Sequence, residues 1–250
     1  MLTRRLFIAT LAGLLSTTLL HAQGVNLTEA PLAQRNVRNE VTMELDGKIH
    51  VKQDGKDISY PHKAQAKHVF LERYLDAGAT SADKAARFYQ TAESTITFNN
   101  NDSSKRSLRA ERRFLVTQRV KGSLVTFSPA GMLTREEMEL TEHFDTMAIA
   151  GLVPGKMIDV GKSWTIPNPV VLALCGLDGI TEQDLEGKLE SIKDNIAQDK
   201  VVGKAQGINL GAQVSMLVNA RFEFDTKEQR IVSLEWKEID ERKQGQRADP

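Results

Sequence analysis

From Ala212 to Phe224 the chain alternates without a break: Ala212, Val214, Met216, Val218, Ala220, Phe222 and Phe224 interleave with Gln213, Ser215, Leu217, Asn219, Arg221 and Glu223. Successive side chains of a strand point to opposite faces, so this segment has one wholly apolar face and one almost wholly polar face. A helix at 3.6 residues per turn would scatter the same seven apolar residues around its circumference. At roughly 3.3 Å per residue the strand would run about 40 Å, far beyond the usual five or six residues. A strand of that length needs neighbours of similar length, and the pattern predicts a large, curved antiparallel sheet.

The N-terminus determines which residues belong to the folded protein. Arg4 and Arg5 precede an apolar run from Leu6 to Leu20, followed by His21-Ala22-Gln23. The order of charge, apolar run and small residue reads as a signal peptide cut near Ala22, and the run is shorter than the roughly twenty residues a membrane span requires. Thr3-Arg4-Arg5-Leu6-Phe7-Ile8 is also compatible with a twin-arginine signal. The expected location is the periplasm or the exterior of a bacterial cell, with no transmembrane segment in the mature chain. The sole cysteine, Cys175, lies far from the cut, so neither a lipid anchor there nor an internal disulfide is expected. Acidic and basic residues balance at 33 each, which argues against a nucleic-acid binder.

Residues 23–36 show no sustained periodicity and read as a flexible lead to a single domain over 37–240, with a charged flexible tail over 241–250. Asp46-Gly47 and Asp54-Gly55 are two tight-turn signals eight residues apart and predict a meander, with an irregular corner at Tyr60-Pro61. Ala85 to Phe98 reads as a strand. Leu108 to Val120 reads as another, with Leu108, Ala110, Phe114, Val116 and Val120 on its apolar face and Arg112 interrupting them. Leu124 to Phe127 ends in the Ser128-Pro129-Ala130-Gly131 turn. Thr134 and Glu137 form a capping box, opening a predicted helix from Arg135 to about Ala150. Val160 to Ile166 predicts a short strand, and Pro167 to Cys175 a helical turn with Pro169 near its start. Strands follow over Leu185–Asp194, Lys200–Gln206, Ala212–Phe224 and Ile231–Ile239, the last with Val232, Leu234 and Trp236 on one face. Strands, then helix, then strands define an α+β fold: a large antiparallel meander or half-barrel with a helical segment packed on one face.

Phe127-Ser128-Pro129-Ala130-Gly131, Leu152-Val153-Pro154 and Val160-Gly161-Lys162-Ser163-Trp164 together resemble a group of exported bacterial proteins of unknown function. In those proteins an F-x-P-x-G turn leads to a helix, then L-x-P and V-G-x-S-W, then a second meander ending in a Phe-Asp turn such as Phe224-Asp225. The resemblance covers most of Leu124 to Asp240 and brings no catalytic residues with it. In architecture the chain is also similar to lipoprotein-carrier folds, which implies a curved sheet that shelters acyl chains against helices.

No catalytic constellation stands out. Glu139 and His143, four apart on the predicted helix with Glu136 before them, have metal-ligand spacing, but one pair without further ligands is more simply a solvated face. His62 and His68 lie about 20 Å apart on a straight strand. Cys175 sits in an apolar run as an inert thiol, no Gly-x-Ser-x-Gly elbow is present, and Gly203, Gly207 and Gly211 read as turn glycines rather than a phosphate loop. No catalytic residue, metal or cofactor is assigned. Arg109, Arg113 and Arg119 are expected to line one strand face, available to an envelope protein or polyanion. Arg112, Met216, Val218, Phe222 and Trp236 are the expected lining of a groove for a lipid or other apolar ligand, with Arg112 fixing an anionic group. Two readings stay open: a non-catalytic envelope protein that binds a hydrophobic or amphipathic ligand, and a structural or interaction module with a filled core. A secreted hydrolase is a third.

Overall fold

The computed structural model describes residues 24–29, 34–77, 82–120, 123–142 and 144–243. The elements run β1 (Gly24–Leu27), β2 (Asn36–Gln53), β3 (Lys56–Ala77), β4 (Ala82–Phe98), β5 (Asp102–Ser107), β6 (Phe114–Val120), β7 (Ser123–Phe127), α1 (Arg135–Thr141), β8 (Lys156–Asp159), β9 (Ser163–Thr165), α2 (Asn168–Leu174), β10 (Gly179–Gln183), β11 (Glu186–Lys193), β12 (Ile196–Asn209), β13 (Ala212–Asp225) and β14 (Arg230–Arg242). All strand pairs are antiparallel, as the alternation predicts. They divide between two open six-stranded sheets and a two-stranded ribbon of β1 with β8. The signal-peptide residues and the last seven residues of the tail lie outside the described residues.

The C-terminal sheet has the order β14-β13-β12-β11-β9, with β10 also on β12. Next to its edge strand lies β13, where Val214, Met216, Val218, Ala220, Phe222 and Phe224 are buried and the intervening residues exposed. Opposite them, Ala197, Val201 and Ala205 of β12 and Leu189 of β11 complete the inner face. Leu152, Ile166, Val171, Leu174 and Leu177 close it from the helical side, making one continuous core. At Gly187 the indole of Trp164 crosses β11 so closely that an added Cβ would lie 2.3 Å from the ring. Trp164 is fixed there because its Nε1 donates to Leu152 O at 2.8 Å. A bulge between Glu223 and Phe224 shifts the register of β14, so Ile231, Leu234 and Trp236 turn toward the core. Val232 turns outward, against the expectation that it shares a face with Leu234 and Trp236.

The N-terminal sheet has the order β2-β3-β4-β6-β7, with β5 on β4. Asp46-Gly47 is not a turn: β2 runs through it in unbroken register with β3, and the hairpin closes at Asp54-Gly55, both with positive φ. Nor is Tyr60-Pro61 a corner. Asn99 N donates to Pro61 O, so residue 61 directs its backbone toward the side where β4 has just ended at Phe98, and its missing N–H breaks no ladder bond. Residues Gly24–Leu27, expected to be part of an irregular lead, form β1, and Leu27 is fully buried.

Between Leu108 and Val120 the single predicted strand is interrupted by a 3-10 turn at Ala110–Arg112, and the parity changes across it. Leu115, Val116 and Thr117 are all buried, Val116 as expected, whereas Phe114 and Val120 point to solvent. The capping box at Thr134 is formed in both directions, Thr134 Oγ1 accepting from Glu137 N and Glu137 Oε2 from Thr134 N. The helix it opens ends at Thr141, and a separate 3-10 segment, Thr146–Leu152, follows in place of the long helix to Ala150. Asp145 restarts the chain as an N-cap, accepting from Met147 N. Contacts from α1 go to β4 and β5, and the 3-10 segment touches β4, β14 and α2.

Candidate functional site: an uncovered apolar sheet face

Met216, Val218 and Phe222 meet in one place, the core of the C-terminal sheet, where Phe144, Leu152 and Val171 belong to the same packed cluster. Trp236 packs at the rim of that core against Phe144, ring centroids 5.8 Å apart. Arg112 is not with them. It lies beside the other sheet and donates to Ala130 O at 2.7 Å and Met132 O at 3.2 Å, clamping the turn at Gly131. Its role here is to hold a turn, and no carboxylate is among these partners.

The apolar surface that stays open belongs to the N-terminal sheet. The His68 ring points at α1, its Nε2 2.9 Å from Leu140 O. A carbonyl only accepts, so Nε2 carries the proton, and burial depresses the ring's pKa in keeping with a neutral imidazole. The register places residues of even number on β3 and odd number on β2 on this same face. Beneath α1 the face is sealed by Phe70, Tyr89, Ala92, Leu108 and Leu140. Beyond α1 the strands continue with no cover among the described residues. Met43, Ala66 and Ser94 form the first row, Leu45, Ala64 and Ile96 the second, and Gly47, His62 and Phe98 the third. Ile49 then pairs with Tyr60, and Tyr60 packs on Phe98 at 5.4 Å. Leu45, Ile49 and Val51 are 48%, 44% and 42% exposed, an extent of apolar surface that a lone domain ordinarily hides. Arg106 borders the first row and is tied to α1 through Glu139 at 2.6 Å.

Across the same strands an open cleft of about 600 Å³ is lined by the first apolar row, Met43, Ala66, Ser94 and Arg106, and by the two rows that flank it, from Thr42 to Ser107 and from Glu44 to Lys105. Its lining is mixed in charge and lacks the apolar walls of a typical small-molecule site.

The arginines expected to form a free basic face are instead largely engaged. Arg109 forks onto Glu137 through Nε and Nη2, both at 2.6 Å, and these bonds hold the Glu137 carboxyl at about 2. Arg119 reaches Asp145 at 2.6 Å. Arg113 is exposed. Arg106, Arg109 and Arg119 therefore bind the 134–145 segment to the N-terminal sheet, using charge already compensated within the chain. Glu139 is likewise shared by Arg106 and Arg135, and its expected partner His143 lies outside the described residues.

Two features escaped the sequence reading. Arg87 and Glu72 are a fully buried ion pair at 2.7 Å, joined by Thr146 and Asn39, with the guanidinium 5.3 Å over the Phe70 ring. Asp199 faces into the C-terminal core at 2% exposure with no hydrogen-bond partner on either oxygen, and burial, reinforced by Glu190, pushes its carboxyl up to about 7. Cys175 is an inert thiol, driven up to about 12 by burial. Among the described residues no cluster of three or more His, Cys, Asp and Glu has metal-binding geometry, and no helix is long and apolar enough to cross a membrane.

The fold and site define an antiparallel protein of two large sheets with a packed C-terminal core and an N-terminal sheet that, among the described residues, runs on past α1. No family model matches the chain, and no curated protein or solved structure matches it either.

Proposed function

We propose that this is an exported envelope protein that holds the apolar portion of a lipid or other amphipathic ligand on the N-terminal sheet beside α1. The observation that carries the reading is the row-by-row continuation of one apolar face past α1, through Leu45, Ala64, Ile96, Tyr60 and Phe98, with no chain over it among the described residues. The site is thereby moved from the C-terminal sheet, whose apolar face is occupied by its own core. The half-barrel curvature and the likeness to lipoprotein carriers belong to this reading, as does export through the signal at residues 1–22. Burying a long acyl chain against such a face is worth about 0.8 kcal/mol per methylene, ample for micromolar binding.

Displacement of a dansyl-labelled long-chain fatty acid measures this directly. Ile96→Glu is expected to weaken probe binding at least about tenfold while circular dichroism is unchanged, because a charge on the face must be desolvated by the ligand. Leu71→Glu, on the other face, is the control and leaves binding as it was. Equal binding by wild type and Ile96→Glu, or no binding by wild type, refutes the assignment. A second reading, an interaction module for another envelope protein, draws on a row across the outer face in which Leu71 opposes Phe88 and Phe88 opposes Phe114, all three exposed.

A further inference from the structure

The free edge of the N-terminal sheet is β2, eighteen residues long, and no described strand covers its outer side. Natural sheets guard such edges with proline, bulges or charges turned inward. At the opposite end β7 is short, and β14 of the other sheet turns Glu238 and Asp240 toward the core side, opposite Val218 and Met216. By contrast β2 has no proline, keeps an unbroken register, and carries no charge at Val37, Asn39, Val41, Met43, Leu45, Gly47, Ile49 or Val51.

We propose that β2 pairs antiparallel with β2 of a second copy of this chain, with the two-fold axis at Gly47. The backbone allows it. Pro61 faces β4, so its partner Lys48 faces away from β3, and by the alternation of an antiparallel ladder every even-numbered residue of β2 offers its N–H and C=O to the free edge. The same even residues carry the charges, and within the span 41–53 that an axis at Gly47 pairs these are segregated: Glu44 and Asp46 precede the centre, Lys48 and Lys52 follow it, and Arg38 and Glu40 lie beyond the paired span. With Gly47 on the axis, Asp46 opposes the partner's Lys48 and Glu44 the partner's His50. On the other face Leu45 opposes the partner's Ile49 and Met43 the partner's Val51. Moving the axis one residue either way sets Asp46 against Asp46 or Lys48 against Lys48, so charge selects one register. Within each chain Asp46 also meets Lys63 at 3.2 Å and Glu40 meets Lys67 at 3.1 Å, both exposed contacts that leave these carboxylates accessible. The pairing is independent of the ligand reading, since it uses the edge and not the face.

Sedimentation equilibrium on the purified protein is expected to show a dimer at tens of micromolar. Asp46→Lys and Lys48→Asp each place two like-charge pairs across the axis and weaken association roughly 10–100-fold. An equimolar mixture of the two variants recovers dimers, because each introduced charge then meets its opposite. Gly47→Cys becomes a covalent dimer on oxidation: a non-hydrogen-bonded pair sets Cα atoms about 4.5 Å apart, within disulfide reach. A Cβ at residue 47 meets only Leu45 Cδ2 at 3.9 Å, so this change does not disturb the strand. A wild type that stays monomeric at ~100 µM, variants that associate as the wild type does, or failure of the mixture to recover dimers overturns the proposal.

Discussion

Glu72→Ala is expected to destabilise the protein by about 3–5 kcal/mol, read as a lower urea midpoint at an unchanged slope. The Glu72 carboxylate accepts from Arg87 Nε at 2.7 Å, Asn39 Nδ2 at 2.8 Å and Thr146 Oγ1 at 3.1 Å, and the Arg87 side chain is 1% exposed. Removing the acid strands a guanidinium among Phe70, Tyr89 and Thr146, where water does not reach it. Thr146 begins the 3-10 segment, so the same change also loosens that segment from β3 and β4. The double variant Glu72→Leu/Arg87→Met removes both charges and is expected to recover most of the loss, as buried pairs replaced by apolar residues commonly do. A cost below about 1 kcal/mol for Glu72→Ala would mean the pair is hydrated rather than buried.

Asp199 makes the protein less stable as pH rises. In the unfolded chain its carboxyl ionises near pH 4, as a model aspartate does. Folded, between Leu189 and Phe222 on the neighbouring strands and with Glu190 at the adjacent bulge, it keeps its proton to about 7. Between these pH values the folded state binds the extra proton, so stability falls as pH rises, by at most about 1.4 kcal/mol per unit, and levels off above 7. The whole fall is on the order of 2–4 kcal/mol. Asp199→Asn is expected to remove the Asp199 share of the fall between pH 4 and 7, making the slope shallower, and to be more stable than wild type at pH 8, where the native side chain is a buried anion. Thermal unfolding across that range decides it: an unchanged slope in the variant assigns the dependence elsewhere. Glu137 acts in the opposite sense and at lower pH, contributing stability above about 4.5 that is lost as pH falls toward 2.

The strands were legible where one face is buried and the other wet. Residues 212–224 are legible because every inward position is apolar, whereas β4 is marked by the β-branched and aromatic run Thr95-Ile96-Thr97-Phe98 before an Asn-rich loop. Errors arose where a local signal competed with a long-range one. Asp46-Gly47 has turn chemistry, but eighteen residues of pairing with β3 override it. The parity of 114–120 and of Val232 depends on a 3-10 turn and a bulge, and neither has a signature in an isolated sequence. Asp199 lies just outside a strand that begins at Lys200, whereas β12 begins at Ile196. Extending the alternation back through Val201 and Ala197 puts an aspartate on the inner face. Glu72 and Arg87 each sit between inward aromatic or small residues, a visible signal, but only the pairing of β3 with β4 shows that the two charges neutralise each other. The open apolar face was hidden for a different reason: alternation distinguishes one face from the other and is silent on what covers them.

The ribbon of β1 with β8 bears on the order in which the chain can assemble. Each large sheet is drawn from one continuous stretch of sequence, β2 to β7 and then β9 to β14, so each can form from contacts near at hand. The strand Gly24–Leu27 has no such neighbour; its partner is Lys156–Asp159, and Leu27 packs in the C-terminal core. During synthesis the first strand must therefore wait, unpaired, until the N-terminal sheet and its helical segment have emerged. It then closes the longest strand-pairing loop among the described residues, joining β1 to the second half of the chain in a late step.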